Sequence, residues 1–180
     1  MRWRAFSLLP WLALLLGSMT GVTAPLSENQ LKAAFLYKFG SYVEWPPEAF
    51  ANRHSPLVIG VVTDVEVANA LQQLIHARRV DERPLRLLRL SEQDDFSGVH
   101  ILYVPHNADV EFRLARTASE PMLTVTDKPQ SELRPYYAIH FMIDSNRLRF
   151  DVDLDEARQR RLRVDARLLA IARRVHGAGA

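Results

Sequence analysis

Cysteine is missing altogether from the 180 residues. That absence excludes a disulfide framework, a thiolate zinc site, an iron–sulfur cluster, a cysteine nucleophile and a lipid-modified N-terminal cysteine. Any folded core must come from packing alone. Glycine is sparse as well, with seven residues, none of them arranged as a phosphate-cradling loop, and there is no G-x-S-x-G elbow. No single sign of charge prevails, since 23 Lys and Arg stand against 21 Asp and Glu. No apolar run reaches the roughly 20 residues of a comfortable membrane span. Internal repeats and low-complexity linkers are also lacking.

What is present begins with a targeting pattern. Arg2 and Arg4 precede an apolar run from Ala5 to Leu16, followed by small and polar residues from Gly17 to Ala24. This is the order of an export signal, and residues 1–24 are expected to form one. Val22-Thr23-Ala24 has the small-residue spacing of a cleavage site, although Pro25 follows it. Without that segment the acidic and basic residues balance, so the chain carries no whole-domain basic excess of the kind that nucleic acid attracts. The charge is uneven all the same. Arginines 158, 160, 161, 163, 167, 173 and 174 crowd the closing segment, against Asp155, Glu156 and Asp165.

Residues 25–180 read as one domain of alternating helices and strands. Ser27 and Gln30 form a capping box, and Leu31, Phe35, Leu36, Phe39, Tyr42 and Val43 recur at helical spacing, predicting a helix over 28–44 with Lys32 on its polar face. Leu57–Val62 is a continuous apolar run, the mark of a strand covered on both faces. Gly60 falls in its middle, where close helix packing accounts for it. A helix over 65–77, strands over 85–90 and 99–104, a helix over 109–118 and a strand over 122–125 follow. Residues 139–143 and 148–152 alternate apolar and polar about a Ser145-Asn146 turn, which sets 143 opposite 148, 141 opposite 150 and 139 opposite 152. Helices are expected over 154–161 and 165–175. The pattern gives a three-layer α/β sandwich: a mixed, mostly parallel sheet of about six strands, ending in an antiparallel hairpin and flanked by helices.

Chemistry is scarce. None of the six histidines stands at a recognised metal spacing, and no residue pattern calls for a cofactor. Glu92, Asp94 and Asp95 read as a solvated acidic loop, and Asp151, Asp153 and Asp155 as a salt-linked sheet face, with acid–base work the sharper alternative. Two stretches exceed this background. Tyr42 to Pro47 is an aromatic–proline corner, either a core tryptophan pinning the helix end or an exposed anchor for a partner. Arg158 to Arg174 flanks an apolar helix face with cations, either a solvated packed helix or a binding surface.

These same stretches resemble the YfiR/HmsC-like family. Leu31 through Phe39 and then Val43-Glu44-Trp45-Pro46 are similar to its opening helix and Trp-Pro ending. Val58-Ile59-Gly60-Val61, His100 to Val104 and Leu123 to Asp127 resemble its strands, and Arg147 to Phe150 with Leu162 to Leu169 its closing segment. The resemblance implies a periplasmic, non-enzymatic regulator in a Gram-negative bacterium. It would hold an inner-membrane diguanylate cyclase inactive through the cyclase's periplasmic sensor region, with dimerisation common in the family. Releasing that grip would raise cyclic-di-GMP and favour biofilm. Relatives carry redox-active cysteines, which are excluded here; Val99, Asp153 and Asp165 stand where Cys, Asn and Ser are usual. The expected contact residues are Arg163, Arg167, Leu168 and Ile171, with Glu44 and Trp45 as a second patch. A module binding a small molecule in a cleft near Thr63, Pro105 and Asp127, at the carboxyl ends of the parallel strands, is the other reading.

Overall fold

A computed structural model describes residues 26–76, 78–129 and 136–177; the expected export segment lies outside the described residues. Helix α1 (Glu28–Tyr42) opens on the capping box, with the Ser27 hydroxyl accepting from the Gln30 amide and the Gln30 side chain accepting from the Ser27 amide. It stops two residues earlier than its periodicity suggests. Val43–Glu44 turn extended as β1, and a 3-10 turn at Pro47–Ala49 follows.

The body is one eight-stranded sheet. Its strands are β2 (Leu57–Val62), β3 (Arg79–Val80), β4 (Arg83–Leu90), β5 (Ile101–Val104), β6 (Leu123–Thr126), β7 (Ile139–Asp144), β8 (Arg147–Asp153) and β10 (Arg174–His176), in the spatial order 10-8-7-6-5-2-4-3. All neighbours are parallel except β7–β8 and β3–β4. The hairpin register is the one its alternation dictates: Ile143 faces Leu148, Phe141 faces Phe150 and Ile139 faces Val152. Ser145 and Asn146 turn the chain at φ 50° and 58°, the left-handed pair that a two-residue hairpin loop needs.

Two apolar layers sandwich the sheet. Leu57, Ile59 and Val61 point to one layer and Val58 and Val62 to the other, so β2 is covered on both faces as its composition requires. The first layer is closed by α1 and α2 (Val65–Ile75), the second by α3 (Glu111–Arg116) and the loops carrying Phe96, Val99 and Ala108. Phe35 and Phe39 meet Phe141 and Phe150 at ring-centroid distances of 5.4 to 5.9 Å, locking α1 onto the hairpin. The crowding at Gly60 comes from side chains on the second face. An added Cβ would lie 2.7 Å from Leu90 and 3.1 Å from both Leu102 and Val99, so strand and loop packing, not a helix, explain this glycine.

The closing segment departs most from expectation. After α4 (Leu154–Gln159) a two-residue strand β9 (Arg163–Val164) pairs antiparallel with β1. A single-turn helix α5 (Ala166–Leu169) follows, and then the edge strand β10, where one long helix over 165–175 is predicted. Asp165 caps α5 by accepting from the Arg167 amide. The Arg173 amide then donates to the Phe150 carbonyl and draws the chain onto the sheet edge. Counting β10 and the short β3 raises the sheet from about six strands to eight while leaving its layered, mostly parallel architecture as expected; β9 belongs with β1 to a separate two-stranded ribbon.

Candidate functional site

Two places combine geometry and unusual chemistry. The first is the β1–β9 ribbon, which joins the two sequence patches. Glu44 stands opposite Arg163, with carboxylate and guanidinium 3.7 Å apart and side chains 70% and 85% exposed. The ribbon continues through the Asp165 amide, which donates to the Tyr42 carbonyl. Arg167 lies over the Tyr42 ring at 5.3 Å and makes a fork of hydrogen bonds to Asp165 at 3.0 and 2.8 Å. That guanidinium holds the Asp165 carboxyl down to about 2. Next to the ribbon, Arg161 pairs with Glu48 at 2.7 Å.

The expected contact residues thus separate. Glu44, Arg163 and Arg167 share one exposed face, and Ile171 is 55% exposed. Leu168 is different, because at 1% exposure it belongs to the first core layer and its side chain cannot meet a partner. One single-turn helix has room for an inward and an outward face, and Leu168 takes the inward one. Trp45 is half-buried; its indole N–H donates to the His100 carbonyl at 3.3 Å.

The second place is a cleft of about 650 Å³ at the carboxyl ends of β2, β5 and β6, lined by Thr63, Pro105 and Asp127 together with Lys32, Asp64 and His106. It lies where the connections diverge. From β2 the chain crosses by α2 to β4, and from β4 it returns over the other face to β5, which makes this the switch point of the sheet. Lys32, expected on the polar face of α1, is 5% exposed. Its ammonium lies 2.5 Å from Asp127 and 2.7 Å from Glu28. Asp127 also accepts from the Tyr103 hydroxyl at 2.8 Å and the His106 amide at 2.7 Å. Burial alone would lower the affinity of Lys32 for its proton, but the Asp127 and Glu28 carboxylates outweigh it and the net shift is upward. Burial, reinforced by Asp127, pushes the Tyr103 phenol up, so it stays a donor. Among the described residues Asp64 and Glu66, on the opposite wall, make no ion pair. Thr63 at the rim has φ 51°, a strained setting for a β-branched residue.

The remaining sequence candidates find structural employment. Asp151 takes a two-pronged bond from Arg173, Asp153 caps α4 and Asp155 pairs with Arg158. Asp94 and Asp95 brace their own loop by accepting from Ser91 and Ser97.

A family model described as YfiR/HmsC-like matches residues 29–173. A search of the curated proteins gives no match. The matched span begins one residue into α1 and ends just before β10, so it takes in both the ribbon and the cleft. With four-fifths of the sequence matched, the chain belongs to the YfiR/HmsC-like family.

Proposed function

We propose that this chain is a non-enzymatic regulator that binds the periplasmic sensor region of an inner-membrane diguanylate cyclase and holds the enzyme inactive. The family is one of periplasmic regulators. The observation that supports a protein partner is the meeting of Glu44, Arg163 and Arg167 on one exposed ribbon, beside Tyr42 and Trp45. Aromatic and arginine side chains on a rigid support are what protein interfaces favour, with the charges setting orientation and on-rate. A deletion strain should contain more cyclic-di-GMP and form more biofilm, and a plasmid copy should reverse both. Unchanged cyclic-di-GMP across several growth conditions would count against the reading.

A second reading, a small-molecule module, draws on the cleft. A buried Lys32–Asp127 pair costs more than an apolar pair of the same size, and a cleft of about 650 Å³ lies within the size range of small-molecule sites. A thermal-shift screen of the purified chain with metabolites separates the two, since a ligand of the folded form raises its melting temperature.

A further inference from the structure

The segment from Trp45 to Phe50 crosses the end of the sheet between the ribbon and β2, and most of its ties run through one residue. His100 takes the Trp45 indole N–H on its carbonyl, and its ring reaches the Ala49 carbonyl through Nε2 at 3.0 Å. The other ring nitrogen, Nδ1, accepts the Val58 amide of β2 at 3.1 Å. The imidazole stacks on Phe50 at 4.4 Å with the planes 13° apart. Arg83 of β4 covers the opposite face of that phenyl ring at 3.7 Å and binds the carbonyls of Asn52, Arg53 and Ser55. His100 itself is 6% exposed.

These contacts fix the tautomer. Nδ1 accepts, so the proton sits on Nε2 and the ring is neutral. A second proton would set an N–H against the Val58 N–H and strand a donor inside the sheet, an outcome costlier than an ordinary lost hydrogen bond. We propose that His100 is an acid-sensitive latch that pins the 45–50 segment to the sheet and lets it go when the imidazole is protonated.

The charges around the ring point the same way. Arg83 is the cation facing it, from β4 across Phe50. The flanking residues of β2 are Leu57, Val58 and Ile59, all apolar and buried. Glu48, the acid on the tethered segment, is engaged by Arg161, and among the described residues no carboxylate pairs with His100. Burial, and secondarily Arg83, hold the imidazole below its usual range, with the Ala49 bond opposing them in part. A group whose folded value is depressed keeps its full contribution above the unfolded value of about 6.5 and loses it as the pH falls below. The latch therefore holds at neutral pH and weakens in acid. His140, the other buried histidine among the described residues, bonds the Lys128 carbonyl beside β7, away from this segment.

Amide hydrogen exchange of the full chain, corrected for intrinsic rates, tests the latch. Between pH 7.5 and 5, peptides spanning 45–58 should lose protection by up to about tenfold per pH unit below about 6.5, while α2 stays protected. In His100→Gln the same peptides should exchange at a rate independent of pH. A flat wild-type profile, the same pH dependence in His100→Gln, or α2 opening on the same curve would each overturn the proposal. NMR of the wild-type ring needs no variant: a neutral Nε2–H tautomer at pH 7.5 is required, and a cationic ring there refutes the latch. Any effect on cyclase binding rests on the reading of the ribbon given above. The opening does not, and exchange reads the opening alone.

Discussion

Lys32 is the residue at which pattern and structure part. Helical spacing puts it on the polar face of α1, yet it is buried, because Asp127 arrives at the same place from the end of β6, 95 residues later. No local pattern carries that information. The carboxylate needs donors and finds them in Lys32, Tyr103 and the His106 amide. Taking away the lysine alone should be expensive, since a partly buried carboxylate is left short of its cation. Lys32→Met is expected to lose about 3 kcal/mol in urea unfolding, and adding Asp127→Asn should recover more than half of it, since the new amide's oxygen still accepts from the His106 N–H while its NH2 group donates to the Tyr103 hydroxyl. A double variant no more stable than Lys32→Met would show that the two side chains are not coupled.

At the scale of elements, α1 owes its position to four phenylalanines. Phe39 is fully buried and touches both Phe141 and Phe150 of the hairpin. Truncating it removes that contact and leaves a cavity between layers that only partly relax. Phe39→Ala should cost about 3–5 kcal/mol, and Phe39→Leu no more than about 1.5 kcal/mol, both read as a shift of the urea midpoint with unchanged slope. A loss under 1 kcal/mol for alanine would mean that α1 does not depend on the hairpin for its place. The hairpin was legible in the sequence because alternation over six residues has one register that puts apolar opposite apolar. Strand β10 was not. Leu168, Leu169, Ile171, Ala172 and Val175 carry helical spacing, and a long-range bond from Arg173 to Phe150 and the two-pronged tie from Arg173 to Asp151 turn residues 174–176 into an edge strand. The pairing of β1 with β9 escaped for a like reason: two-residue strands have no period, and their partners lie about 120 residues apart.

For the molecule as a whole, the sheet's layers followed from composition, and so did the cleft, because neighbouring parallel strands whose connections leave in opposite directions open a crevice at their carboxyl ends wherever the residues come from. The surface was only half legible. Sequence marked Glu44–Trp45 and Arg163–Ile171 as separate patches, and folding pairs Glu44 with Arg163 across one ribbon and sets Arg167 over Tyr42 beside it, while drawing Leu168 inward. The ribbon's charges are exposed, so they add little to stability, typically under 1 kcal/mol per pair, and can be changed without unfolding the chain. On the docking proposed above, Arg163→Glu is expected to melt within a degree or two of wild type and to bind the proposed partner, a cyclase sensor region, at least tenfold more weakly, mainly through a slower on-rate that high salt conceals. The exchange Glu44→Arg with Arg163→Glu restores the cross-strand attraction but presents the partner with a reversed pattern. If the ribbon is the docking face, that double variant should fold as well as wild type and still fail to bind. Binding recovered by the exchange would assign Glu44 and Arg163 to holding the ribbon together, and binding unchanged in Arg163→Glu would move the interface elsewhere on the molecule.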